Sequence, residues 1–346
     1  MNDRGLCVNS RKIEHIDVVR NDDGTDRNAR HFDRIHLVHR ALPEIDLKDI
    51  DPRIQFMGKT LSFPLLISSM TGGEHELVER INRNLAIAAE KTGVALAVGS
   101  QRVMFENSRA LSSFELRRHA PQTLLFANLG AVQLNCGFTV EHCRRAVEVV
   151  GADALFLHLN ALQEAVQPEG DTVFAGLTSK IAELNGQLDV PLVLKEVGCG
   201  FSCEDILSAA AAGVRFIDVA GQGGTSWSRI EHRRTEPGSD LGLVFQDWGI
   251  PTPRALKLAS SSRARVELIA SGGLRNGIDM AKSVILGARL CGLAAPFLEP
   301  AVESAESVVA AIEALKRQFV TAMFLLGTPD IAALWGNKQL ILDDFS

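Results

Sequence analysis

Val266-Glu-Leu-Ile-Ala-Ser-Gly-Gly-Leu-Arg-Asn-Gly277 reads as one complete structural unit. Val266 to Ser271 is a short apolar run of strand character, two adjacent glycines turn the chain, and a helical pattern opens after them. The same unit recurs along the chain. Strand-like runs occupy Pro64 to Ser69, Val94 to Gly99, Thr123 to Asn128, Ala154 to His158, Leu192 to Glu196, Phe216 to Ala220 and Arg289 to Leu293 as well. Longer amphipathic stretches lie between them, such as Glu74 to Thr92, where Leu77, Ile81, Leu85 and Ala88/Ala89 repeat at helical spacing. Another, Ser202 to Ala212, opens with a Ser-x-x-Asp cap. Eight strand–helix units in about 250 residues predict an α/β chain folded as a single (β/α)8 barrel. A doubly wound sheet would use the same alternation with fewer strands.

The strand ends favour the barrel. Ser69-Met70-Thr71-Gly72-Gly73, Gly99-Ser100-Gln101-Arg102, Asn128-Leu129-Gly130, His158-Leu159-Asn160, Lys195-Glu196, Gly221 to Ser226 and Ser271-Gly272-Gly273 are all small or polar. A barrel gathers such ends on one rim, where active sites form. Three segments exceed the barrel at 63–326. Residues 1–62, with an acidic loop from Asn21 to Asp26 and a histidine-bearing basic stretch from His31 to Arg40, read as an N-terminal lid. Gln222 to Gly249 is an inserted loop after strand 6, long enough to be functional and expected to order around a ligand. Residues 327–346 form a C-terminal tail over the barrel bottom or a neighbouring subunit.

Composition narrows the classes of function. With 346 residues, 46% apolar, the chain can bury a large core. Its net charge of −6, with both signs interspersed, argues against a nucleic-acid surface. No apolar run reaches the roughly 18 residues that span a bilayer, since Val284 to Leu298 is interrupted by Arg289. Met1 to Arg4 opens no secretory signal, which points to the cytoplasm. Six cysteines without CxxC spacing argue against a disulfide framework. The absence of tyrosine removes the phenol as an acid or base.

Several clusters carry chemistry. The turn Gly272 to Arg275, with Gly292 to Ala295 after strand 8, forms an anion cradle of the kind barrels place between their last two loops, assisted by a helix N-terminus; the plain alternative is a tight turn. Walker-type and complete dinucleotide glycine motifs are absent. Lys195 interrupts an apolar run, so it needs an anion at the mouth, such as the carbonyl edge of a reduced flavin. A Schiff base, or an ion pair with Glu196 or Asp218, would use it differently. In the run from His158 to Glu164, alternation sends His158 and Asn160 to one side. Glu164 can hold Mg2+ with substrate phosphate oxygens and water completing the shell. Arg11, Lys12 and Arg102 could clamp a diphosphate if the lid folds over the mouth; alone, such cations are solvated surface.

With these residues in view, the chain resembles the type 2, FMN-dependent isopentenyl-diphosphate isomerase family. The matching motifs are RKIEH (11–15), SSMTGG (68–73), GSQR (99–102), ANLG (127–130), HLNALQE (158–164), LKEVG (194–198), AGQGGTSW (220–227), DWGIPT (247–252) and SGGLRNG (271–277). The glycine turns are common to FMN barrels, whereas HLNALQE with GGTSW is specific.

The resemblance implies interconversion of isopentenyl and dimethylallyl diphosphate with reduced FMN, NADPH as reductant and Mg2+. It implies FMN contacts from Ser69, Met70, Thr71, Ser100, Asn128, Lys195, Thr225, Ser226, Gly272, Gly273, Leu274, Arg275, Ala294 and Ala295. Arg11, Lys12, Ser100, Gln101, Arg102 and Gln163 would bind substrate, His158, Asn160 and Gln163 would serve catalysis, and Glu164 would hold the metal. It further implies a homo-oligomer, a tetramer or octamer. The closest alternative is an FMN-dependent 2-hydroxy-acid oxidase, which by family resemblance needs a histidine and arginine near strands 6 and 7. Here the first histidine of that loop is His232. A non-catalytic flavin-binding protein would have no use for HLNALQE.

Overall fold

The computed structural model describes residues 3–234 and 239–343, with residues 3–11 described by backbone alone. Eight parallel strands close into a barrel: β1 (Leu65–Ile67), β2 (Ala95–Ala97), β3 (Leu125–Gly130), β4 (Ala154–Leu159), β5 (Leu192–Glu196), β6 (Phe216–Asp218), β7 (Glu267–Ser271) and β8 (Ala288–Leu293), β8 pairing with β1. Each lies within a residue or two of its predicted run. The strands are apolar almost throughout because helices cover their outer face while side chains fill the interior. Inside, the Phe126 and Phe156 rings stack with centroids 4.8 Å apart.

Register sets up the chemistry. His158 on β4 pairs with Lys195 on β5, and Lys195 with Asp218 on β6, so three polar residues occupy one row at the C-terminal end of the barrel. The helix Glu76–Thr92 presents Val78, Ile81 and Leu85 to the core and ends at Gly93 in the left-handed region. The helix Cys203–Ala211 carries the predicted cap, Ser202 and Asp205 bonding reciprocally.

The N-terminal extension divides between the two barrel ends. Its first part is a helix, Asp3–Asn21, which weak periodicity did not predict. Its residues Lys12, His15, Ile16 and Val19 face the barrel mouth, so a narrow stripe is all that packing requires of it. Its last part is a hairpin, Ile54–Phe56 with Lys59–Leu61, at the opposite end. There Phe56 packs edge-on to Phe216, the first residue of β6. The C-terminal tail also lies at that end: Trp335 Nε1 donates to the Gly287 carbonyl just before β8, and Ile341–Asp343 pairs with His36–Leu37. The long segment after β6 contains two helices, Trp227–Arg234 and Leu241–Val244. Among the described residues no helix is long and apolar enough to cross a membrane.

Candidate active site

The C-terminal ends of all eight strands open onto one cavity of about 230 Å3, the position at which parallel barrels assemble their sites. On the β7–β8 side the lining is backbone. Gly272 and Gly273 have φ of 94° and 80°. A Cβ on Gly272 would lie 2.1 Å from the Gly221 carbonyl oxygen, and one on Gly273 would lie 2.8 Å from the Gly223 carbonyl carbon. The loops after β6 and β7 therefore meet backbone to backbone, a contact open only to glycine. Arg275 is held over this turn by Asp26 at 2.5 Å and by the Gly223 carbonyl at 3.1 Å.

The two helix N-termini beside this cradle are capped differently. Asn276 caps Gly277–Ile285 by accepting from the N–H groups of Ile278 and Asp279, so those donors are already used. The helix Ala295–Glu303 has no side-chain cap, and Ala294, Ala295 and Pro296 line the cavity. Its first N–H groups are not taken by a side-chain cap, which leaves them able to meet an anion.

Ser69, Met70, Thr71, Ser100, Asn128, Lys195 and Thr225 line the same cavity. Asn128 Nδ2 donates to Ser69 Oγ at 3.0 Å and its Oδ1 meets His158 Nδ1 at 2.8 Å. Lys195 Nζ donates to Asp218 Oδ2 at 2.9 Å and to Ser271 Oγ at 3.2 Å, so the partner is Asp218 and not Glu196. Glu196 instead folds the following turn, accepting from the N–H groups of Val197 and Gly198 at 2.7 Å. Burial raises its carboxyl to about 7 against the opposing pull of those bonds. Thr71 Oγ1 is buried without a hydrogen-bond partner among the described residues. An orphaned hydroxyl, a buried cation and a glycine cradle together fit a phosphorylated flavin.

The far wall comes from β3, β4 and the N-terminal helix. Asn160 Nδ2 donates to Glu164 Oε1 at 2.8 Å and to Gln163 Oε1 at 3.2 Å, while Glu164 Oε2 accepts from the N–H of Asp171 at 2.7 Å. Asn160 Oδ1 is buried with no hydrogen-bond partner among the described residues. Among the described residues no three His, Cys, Asp or Glu side chains converge on a metal position. One carboxylate and one open amide oxygen suit a hard cation whose shell a phosphorylated ligand completes. Arg102 pairs with Asp171 at 2.7 Å and Glu106 at 3.2 Å.

Behind Gln163 stands a buried network that joins three distant segments. Glu231 Oε1 accepts from Gln163 Nε2 at 2.7 Å and meets His15 Nε2 at 3.1 Å, and Glu231 Oε2 accepts from Arg234 at 2.5 Å. Burial pushes the Glu231 carboxyl up, but its donors outweigh this and hold it at about 2. Burial lowers the His15 pKa, with Glu231 opposing. Trp227 lines the cavity and meets the His15 ring edge-on at 5.2 Å.

Two expected residues stand apart from the cavity. Gln101 is fully buried, its amide donating to the Ala146 carbonyl and accepting from the Asn128 N–H, so it braces β3. Ser226 donates to the Gln246 carbonyl and is likewise buried. The Arg11 side chain lies outside the described residues. His15, Gln133, Gln167 and Trp227 line the cavity without having been expected there; RKIEH and GGTSW contain two of them, but neither run indicates which residue faces inward. His232 bonds to the Ser239 carbonyl and does not line the cavity.

Residues 8–159 and 163–341 match the FMN-dependent dehydrogenase family. Among solved structures, a mandelate oxidase with an FMN adduct superposes with a TM-score of 0.62 at 19% identity, covering 90% of this chain and 88% of that one. The flavin-binding domain of baker's yeast flavocytochrome b2 gives 0.65 at 19% identity, covering 91% and 77%. These likenesses concern the fold. Fold and cavity define an FMN-dependent β/α-barrel protein. Nearer relatives are isopentenyl-diphosphate delta-isomerases: that of Paracoccus zeaxanthinifaciens is 57% identical, with 96% of this chain and 97% of that protein covered. That of Hydrogenovibrio crunogenus is 53% identical, with 97% and 98% covered. The chain belongs to the isopentenyl-diphosphate delta-isomerase family.

Proposed function

We propose that the protein interconverts isopentenyl and dimethylallyl diphosphate by moving a proton across an allylic unit. The observation that carries this reading is the two-sided chemistry of the cavity. A glycine cradle stands on the β7–β8 side for a flavin phosphate, and a buried lysine on β5 for its ring. Across the ring from the cradle, β4 and the helix after it bring His158, Asn160, Gln163 and Glu164 to the cavity, with Lys12 and Arg102 lining it as well. The apolar side chains of Ile16, Val19, Trp227 and Leu298 line the same space and suit a short hydrocarbon.

Bound reduced FMN supplies the acid and base of this reaction. It would be held by the Gly272–Arg275 turn, Ala294-Ala295, Ser69 to Thr71, Ser100, Asn128 and Thr225. Lys195 places a positive charge at the mouth, where an anionic ring would sit. Lys12, Ser100 and Arg102 bind the diphosphate and fix which carbons face the flavin. Glu164, with Asn160 beside it, would hold Mg2+, which would supply positive charge to the diphosphate. His158 is oriented by Asn128, and Gln163 by Glu231, so both reach the substrate in one orientation. NADPH as the reductant, a homo-oligomer, a cytoplasmic location and a division into lid, barrel and tail complete the proposal.

The test uses enzyme reduced once and kept anaerobic. It should turn over many equivalents of isopentenyl diphosphate without further reductant, and product formed in D2O should carry deuterium. Consumption of one NADPH or one O2 per turnover would instead establish a hydride-transferring oxidase.

A further inference from the structure

We propose that Gln167 is a further substrate-binding residue, its side-chain amide donating to an oxygen of the diphosphate. The proposal rests on the isomerase reading for the identity of the ligand and on geometry for the rest.

Gln167 caps the C-terminal end of the helix Ala161–Val166, one turn beyond Gln163 and three residues beyond Glu164. That spacing puts it on the flank of the helix that carries both. It is 5% exposed and lines the cavity. Five side-chain amides line that cavity: Asn128, Gln133, Asn160, Gln163 and Gln167. Four have already committed their N–H groups: Asn128 to Ser69, Gln133 to Asp171, Asn160 to Glu164 and Gln163 to Glu231. Gln167 is the exception, for its Nε2 is buried with no hydrogen-bond partner among the described residues.

A buried donor without an acceptor destabilises a fold, so native structures rarely keep one unless something else completes it. Because Gln167 lines the cavity, the acceptor assigned to it is a ligand atom held there. The glycine cradle for the flavin phosphate lies across the barrel, and the hydrocarbon end of the substrate accepts nothing. Lys12, Arg102 and Glu164 already mark this wall for the diphosphate and its metal, and a phosphate oxygen there satisfies the amide with a charge-assisted bond.

The measurement is competition by inorganic diphosphate with Mg2+, alongside KM for isopentenyl diphosphate, on FMN-loaded wild type, Gln167→Leu and Gln167→Glu. Both variants should weaken inorganic diphosphate and raise KM about 10-fold or more, the loss falling mainly on KM, with the flavin spectrum and FMN content of wild type. Diphosphate affinity within twofold of wild type in either variant would overturn the proposal. In particular, loss in the leucine variant alone would mean that the residue only fills space, since glutamate has the same shape. Loss of FMN from both variants would assign Gln167 to the fold and overturn it likewise. Should the wild type bind inorganic diphosphate yet fail to isomerise, the isomerase reading falls, while diphosphate binding by the variants still decides the role of Gln167.

Discussion

Glu231 shows how much one side chain can hold. It is fully buried and takes bonds from His15, Gln163 and Arg234. Its carboxyl lies at about 2, below its ordinary 4.5, so the native state favours the anion. The stability this gives is complete above 4.5 and is lost as pH falls from there toward about 2. Glu231→Gln removes the anion that His15, Gln163 and Arg234 share, although Arg234 keeps Glu14 and Glu169, and should cost about 3 kcal/mol at pH 7, the linkage equivalent of that shift, with the gap to wild type closing through that acid window. Chemical denaturation at pH 7 and pH 3 measures both; an equal gap at the two values would show that charge is not what Glu231 contributes. The same variant should lower kcat/KM while sparing FMN, because Gln163 loses the charged acceptor that orients it. None of this was legible in the sequence. His15 and Glu231 stand 216 positions apart, and no local pattern links a lid histidine to a loop glutamate.

At the level of elements, legibility followed burial. The eight strands are apolar because both faces are covered, so their composition declared them, and the SGGLRNG turn declared itself through adjacent glycines. The helix at Asp3–Asn21 escaped because only a stripe of it meets the barrel. The cap of Gly277–Ile285 was also hidden, since an asparagine after a glycine turn can face outward or inward. Two substitutions separate the elements here. Gly273→Glu forces a side chain into a left-handed backbone position against Gly223 and should reduce FMN affinity at least 10-fold, read by flavin fluorescence titration; wild-type affinity would move the phosphate elsewhere. Asn276→Ala removes a cap whose bonds are internal, so it should cost about 1 kcal/mol of stability and leave FMN affinity unchanged.

The whole molecule separates stability from chemistry along the barrel axis. Glycine turns, polar rows and the N-terminal helix occupy the C-terminal rim, while the Ile54–Leu61 hairpin and the C-terminal tail close the other end. Phe56, 2% exposed against Phe216, belongs to that closure. Phe56→Ala should lower stability by about 4 kcal/mol with kcat/KM and FMN content of the surviving fold at wild-type values. Thermal unfolding and steady-state rates together test it; a selective loss of kcat/KM would show that the two ends are coupled.

The placement of Trp227 gives the protein a built-in optical signal. The chain has three tryptophans and no tyrosine, so its ultraviolet emission comes from indole alone. Trp248 and Trp335 are 63% and 45% exposed and emit as solvated indoles, whereas Trp227 sits in the cavity wall against His15. An oxidised isoalloxazine in that cavity accepts energy most efficiently from the nearest indole. Cofactor loading can thus be followed as selective dimming of the bluer part of the emission, with no label attached.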